Sequence, residues 1–235
     1  TDSDAEIRAQ AARMLGDVRY EPAGDALIPL LSDEHARVRY FAAEALGRIG
    51  YQEAVQPIVE MLEANNDEDV YLRHGGAIAL ARIGDSESVT ALSNHSSRAV
   101  RIAAVGALKR MRAPGVARLL QDSDEYVVVN AARAIMDDHF IEDAIPALAM
   151  MLDQKSFTSD PLLRRAMNAN LYSGSATDAR RLGEFSLQSE APTELKVEAL
   201  DILKYWDSPS IFDRVTGRHR GAVSNERSDA QEVIS

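Results

Sequence analysis

The chain has no cysteine. That excludes disulfides, thiolate zinc sites, iron–sulfur clusters and cysteine nucleophiles. It suits an oxidising or a reducing compartment equally and marks neither. Aromatic residues are scarce, 6% of 235 positions with one tryptophan, so any core must be built mainly from aliphatic side chains. No apolar run approaches the roughly 18 residues a membrane helix needs, and no membrane insertion is expected. The first residues, Thr1-Asp2-Ser3-Asp4, are acidic, lack Met and form no signal peptide, as in a processed chain or an excised fragment. Cations are short as well: 26 Lys and Arg against 37 Asp and Glu give a net charge of -11. Nucleic-acid binders draw much of their affinity from cationic contacts with phosphate, so no nucleic-acid partner is expected. What the chain does have is a hydrophobic fraction of 46%, chiefly Ala, Leu, Ile and Val, a composition suited to packed helices.

An internal repeat runs through most of the chain. Its clearest copy extends from Asp33 to Gly50, with Val38, Ala42, Ala45 and Leu46 at offsets that place them on one helical face. Gly50 then suits a helix C-cap, and a second helix follows over Glu53–Leu62. Ile7-Arg8, Leu72-Arg73, Val100-Arg101, Val127-Val128, Leu163-Arg164 and Leu195-Lys196 open further copies. The spacings from Arg8 onward are 31, 34, 28, 27, 36 and 32 residues. The second segments, such as Ala26–Leu31 and Ala144–Leu148, carry Pro near their starts, where the first helical turn tolerates it. Period-two alternation is absent, and Ala-rich runs disfavour sheets. One helix pair cannot bury its stripe alone, whereas stacked pairs share a continuous core.

With these residues in view, the pattern resembles short HEAT-like repeats, similar to those of phycobilisome lyases. The resemblance spans roughly residues 4–206 and is strongest up to residue 152. It implies an all-α fold, a right-handed α-α superhelix (a HEAT-like solenoid) of about seven helix-pair repeats over residues 1–206. A partly irregular C-terminal extension is expected over residues 207–235. The later copies depart from the pattern. Gln154–Asp160 reads as an enlarged loop, and Met167, Asn168 and Asn170 stand where small residues stood before. In the extension, Arg218-His219-Arg220 forms a small basic patch suited to an acidic surface. Residues 222–235 are polar and expected to be mobile.

The stretch from Leu200 to Arg220, with Trp206, Pro209, Asp213, Val215, Gly217 and Arg220, is similar to a segment of large exported bacterial proteins. Those proteins join a sugar-dehydrogenase-like propeller, HEAT-like repeats and a c-type haem domain. That resemblance implies an exported, repeat-bearing middle part with flanking domains as its partners. Without a Cys-x-x-Cys-His motif the chain attaches no haem itself.

Few residues suggest chemistry. Arg8, Arg39, Arg73, Arg101 and Arg164 each follow an apolar anchor, with acidic residues upstream of several. A guanidinium bridges such an acidic turn with paired hydrogen bonds, so these arginines read as a structural ladder. The five histidines, His35, His74, His95, His139 and His219, lack metal-ligand spacing. Asn66–Asp69 and Asp122–Glu125 lack the spacing of a calcium loop and suit helix N-caps instead. No phosphate loop, dinucleotide fingerprint or nucleophile elbow is present. No catalytic, metal or cofactor-binding residue is therefore assigned, and no cofactor.

The residue pattern favours a scaffold that binds a protein or peptide partner through the concave face of the solenoid, without catalysis of its own. Gln56, Glu60, Arg118, Met150 and Arg181 on the second helices are the candidate contact residues. One alternative is an architectural spacer within a larger exported redox protein. A second, implied by resemblance, is an enzyme on a HEAT-like fold: one that assists bilin attachment, or one that excises alkylated DNA bases.

Overall fold

The computed structural model describes residues 2–154 and 158–234. Among the described residues it is all-helical, apart from one isolated antiparallel bridge between Phe212 and His219. The chain divides into two compact units, Thr1–Leu119 and Leu120–Ser235.

In the first unit, four long helices form one layer: α1 (Ala5–Asp17), α3 (Ala36–Ile49), α5 (Val70–Ile83) and α7 (Arg98–Met111). Each packs on the next. Shorter second elements follow them, among them α2 (Gly24–Leu27), α4 (Val55–Asn65) and α6 (Ser86–Ala91). The predicted stripe is the buried one: Val38, Ala42, Ala45 and Leu46 are at most 1% exposed. Small residues decide how closely the layer packs. A β-carbon at Gly16 would lie 2.6 Å from the Cα of Ala45, and one at Gly47 would lie 2.6 Å from the Cα of Ala79. Such contacts bring helix axes near the lower limit of the usual 8–10 Å spacing. Gly50 and Gly84 end α3 and α5 with φ of 78° and 85°, left-handed conformations that residues with a β-carbon adopt only at a cost.

The second elements are shorter and more broken than the sequence suggests. Ala26–Leu31 is not one helix, because α2 gives way to a 3-10 stretch at Ile28–Ser32. Pro29 lies at the start of that stretch. It has no N–H to donate to the preceding α-helical turn, which is the physical reason for the change.

The second unit contains α8 (Glu125–Met136), α9 (Ile145–Ala149), α10 (Asp160–Ser173), α11 (Ala176–Leu187), α12 (Thr193–Lys204) and α13 (Arg227–Ile234). Part of the loop expected over Gln154–Asp160, residues 155–157, lies outside the described residues. After α12 the chain turns back over its own unit. Trp206 is 1% exposed, and α13 packs on α11. The expected mobile tail thus contains a docked helix. Its Val233 side chain lies where a β-carbon on Gly183 would collide with it. The bare glycine face of α11 is what admits α13.

Candidate functional site

Two places concentrate side chains with chemical potential, one in each unit. The first is a cleft of about 440 Å³ between the N-terminal halves of α3 and α5, lined chiefly by Arg37, Tyr40, Phe41, Asp69, Tyr71 and Leu72. Helical periodicity puts Arg37, Tyr40 and Phe41 on neighbouring turns of α3. Phe41 meets Tyr40 edge-on with ring centres 5.3 Å apart. The guanidinium of Arg37 lies 5.0 Å from the Phe41 ring centre, and that of Arg13 lies 5.8 Å from it, within cation–π range. Arg37 also donates from Nε and Nη2 to the Glu6 carboxylate, at 2.9 and 3.3 Å. The bond from Gln10, then that from Arg37, holds the Glu6 carboxyl below its ordinary range.

The opposite wall of the cleft is set by the start of α5. Asp69 caps that helix, accepting from the backbone N–H groups of Tyr71 at 2.8 Å and Leu72 at 3.3 Å. This fixes Tyr71 at the second helical position, where its side chain projects into solvent, 74% exposed. Gly75, one turn on, makes room for Tyr40. A β-carbon there would lie 2.8 Å from the Tyr40 ring.

The second place is a polar knot in the second unit, centred on Asp213, which is 3% exposed. One carboxylate oxygen accepts from the backbone N–H of Val215 (2.9 Å) and from the backbone N–H (2.7 Å) and hydroxyl (2.9 Å) of Thr216. The other accepts from the Asn168 amide at 2.9 Å and lies 3.5 Å from Nε of Arg220. Burial pushes the Asp213 carboxyl up. The donors from Thr216, Asn168 and Val215 outweigh burial, and the net shift is downward.

Arg220 donates to the carbonyls of Met136, Asp137 and Asp138 at 2.6, 2.9 and 3.1 Å. A cation thus satisfies the C-terminal end of α8, where the helix dipole favours positive charge. Its guanidinium also lies 4.4 Å from the Phe140 ring centre. Phe140 in turn meets Tyr172 edge-on. Burial, then the Asp213 charge, raises the Tyr172 hydroxyl to about 12. The basic patch of the extension therefore meets an acidic surface of its own unit: Arg218 pairs with Asp138 at 2.9 Å.

The arginine ladder has a regular geometry. Arg8, Arg39 and Arg101 each donate through Nη1 to the carbonyls six and five residues earlier, with distances between 2.7 and 3.1 Å. Arg73 bonds the Asp67 side chain, also six residues back. Arg8 reaches the next repeat as well, through bonds of 2.8 and 3.0 Å to Asp33. The hydrogen bond from Arg8 is the main reason the Asp33 carboxyl falls to about 2. Arg164 lies one residue beyond this register and makes looser pairs, 3.5 Å to Glu198 and 3.9 Å to Asp160. Its neighbour Arg165, not singled out by the sequence pattern, is the buried one. It holds Asp137 at 2.7 and 2.8 Å and the carbonyl of Pro161 at 2.8 Å.

The candidate contact residues divide between the two units. Gln56 and Glu60 are exposed neighbours on α4 joined by a 3.2 Å hydrogen bond. Arg118 is exposed in the same unit. In the second unit Met150 is 50% exposed, whereas Arg181 is tied to Asp153, Asp178 and Asn170. The acidic turns behave as helix caps: Asp69 caps α5 and Asp124 caps α8. Among the described residues, no three His, Asp or Glu side chains are grouped to hold a metal.

The HEAT-repeat family profile matches residues 1–71. "Phycocyanobilin lyase subunit alpha" of Picosynechococcus sp. (strain PCC 7002) is 30% identical over 188 residues, 71% of this chain and 66% of that protein. "Bilin biosynthesis protein PecE" of Nostoc sp. (strain PCC 7120) is 36% identical over 144 residues, 55% of this chain and 56% of that protein. This chain is a HEAT-like repeat protein of the phycobilisome-lyase type. It spans less than two thirds of the length of either relative. Among solved structures, a chain in the complex of CpcE and CpcF of phycocyanin lyase from Nostoc sp. PCC7120 aligns with 100% of this chain and 89% of its own. Its identity is 23% and its TM-score 0.41. An engineered protein aligns with 89% of this chain and 67% of its own, at 22% identity and a TM-score of 0.45.

These relatives overturn the expectation of a scaffold without catalysis. Both named proteins belong to bilin chemistry, and one is a lyase subunit. The expectation that the chain is no enzyme falls with it; of the alternatives, bilin attachment is the one these relatives favour. The repeat pattern misled because it reports how helices stack, and fold leaves function open.

Proposed function

We propose that this chain is one subunit of a bilin lyase, which binds a bilin and orients it for transfer to or from a carrier protein. The observation that carries this reading is the pair of relatives, 30% and 36% identical, whose names both concern bilins. Residue chemistry limits what such a subunit does. With no cysteine, these residues offer no thiol to carry the chromophore, and the reading assigns covalent acceptance of the bilin to a carrier protein. This chain's share is to hold, orient and screen the ligand, a contribution made through positioning. The word "subunit" in the first relative's name supports a protein partner that completes the enzyme.

The test is reconstitution. The chain is co-expressed with a companion lyase subunit and a bilin-carrier protein in cells that make phycocyanobilin. The expected result is chromophore retained on the carrier after denaturation, well above the level reached when this chain is omitted. Equal attachment with and without it sinks the reading.

A further inference from the structure

We propose that the cleft between α3 and α5 is where this chain grips the bilin, with Tyr71 and Tyr40 against its conjugated rings and Arg37 at a carboxylate. This rests on the proposed bilin-lyase reading and adds a binding site to it.

Three features make the cleft a ligand site rather than an accident of packing. First, its shape is maintained at a cost. Gly75 and Gly76 lie inside α5, and glycine within a helix is disfavoured by about 1 kcal/mol each relative to alanine. Gly76 is accounted for by Leu62, whose side chain would collide with a β-carbon there. At Gly75 the nearest atoms a β-carbon would meet belong to the ring of Tyr40, which lines the cleft. Secondly, Tyr71 does no packing work. It is 74% exposed at a helix start, where the cap is supplied by Asp69 through the backbone. Thirdly, charge and shape point to the same ligand. A volume of about 440 Å³ falls in the range of small-molecule sites, roughly 300–1,000 Å³. Its walls are chiefly aromatic and its rim carries the Arg37 guanidinium, while the one carboxylate in the lining, Asp69, is engaged by the backbone N–H groups of Tyr71 and Leu72. That combination suits a flat, conjugated, carboxylate-bearing molecule, and a bilin is a linear chain of conjugated rings with carboxylate side chains. Nη1 of Arg37 makes no hydrogen bond among the described residues, while Nε and Nη2 are held by Glu6. The pair with Glu6 presets the guanidinium plane and leaves an edge to donate.

The experiment is a titration of the purified chain with phycocyanobilin, read by the bilin's absorption and induced circular dichroism. Tyr71→Ala is expected to weaken binding about 2- to 10-fold, the scale of one aromatic contact, and Tyr71→Phe to restore it. Arg37→Gln is expected to weaken binding several-fold and to flatten its dependence on salt. Tyr126→Ala is the control. Tyr126 has the same register at the start of α8, in the other unit, and its loss should leave binding unchanged. Tyr71 is exposed, so the Tyr71→Ala melting curve should not move, whereas Arg37→Gln gives up the exposed pair with Glu6 and should shift its curve only slightly. Wild-type affinity in both Tyr71→Ala and Arg37→Gln overturns the site. Loss of companion-subunit binding in Tyr71→Ala with bilin affinity intact also overturns it and makes the cleft a protein-docking surface. If the chain binds no bilin yet supports attachment in the reconstituted system, the site falls and the lyase reading stands. Failure of both assays removes the two together.

Discussion

Burial pushes the Asp213 carboxyl up, yet hydrogen bonds from Thr216, Asn168 and Val215 outweigh it and hold the group below its ordinary value. Its ordinary value is 3.8 and its folded value is lower. A depressed folded pKa adds stability that is present above the unfolded value and is lost as pH falls through the folded one. Asp213→Asn keeps the shape but removes the charge beside Arg220 and, with its oxygen kept toward Val215 and Thr216, the acceptor of the Asn168 amide. It is expected to cost about 2 kcal/mol at pH 7, seen as a lower melting temperature. The gap from wild type should narrow as pH drops below about 4. A gap that stays constant from pH 7 to pH 3 would show that the carboxylate charge contributes nothing. Arg165 teaches the same lesson from the other side. Spacing alone pointed to Arg164 for the ladder, but only the tertiary position of Asp137 shows which of two adjacent arginines is clamped.

At the scale of elements, α3 and α5 show how packing and a candidate site are built from one set of residues. Their buried alanines and the Gly47 contact bring the helices together, and the same approach forms the cleft at their N-terminal ends. Gly75→Ala separates the two roles. Helix propensity gains about 1 kcal/mol, and displacement of the Tyr40 ring takes some of that back. The melting free energy should change by no more than about 1 kcal/mol, while the ring moves into the cleft and bilin affinity falls. Unchanged affinity would mean that Tyr40 is not part of the site. In the second unit, the segment after α12 folds back, with Arg220 capping α8 and α13 seated on α11. Its polar composition reads as loose chain. It is ordered because its arginines meet helix-end carbonyls and Asp138, and Val233 meets a glycine.

For the molecule as a whole, the absence of cysteine leads to a further expectation. Any bilin carried by this chain alone should be released on denaturation, because no thiol is present to retain it. Chromophore that stays with the denatured chain in gel electrophoresis would show attachment through another side chain. It would also recast the chain as a carrier rather than a positioning subunit.

By itself the sequence determined the helical class, the repeat, the buried alanine stripe, the caps at Asp69 and Asp124 and the lack of a thiol. These are local or periodic properties: a helical face is set by offsets of three and four, and a cap by one side chain and the next turn. Neither the cleft nor the docked tail was legible in that way. Tyr40 and Tyr71 are 31 positions apart, and Asp213 and Asn168 are 45 apart, so neither pair forms a motif. Tertiary structure brought them together, because side-chain sites arise where separate helices meet and the sequence pattern records only the helices. Function lay further still from the pattern, since a stripe of alanines packs in the same way whatever ligand the exposed face holds.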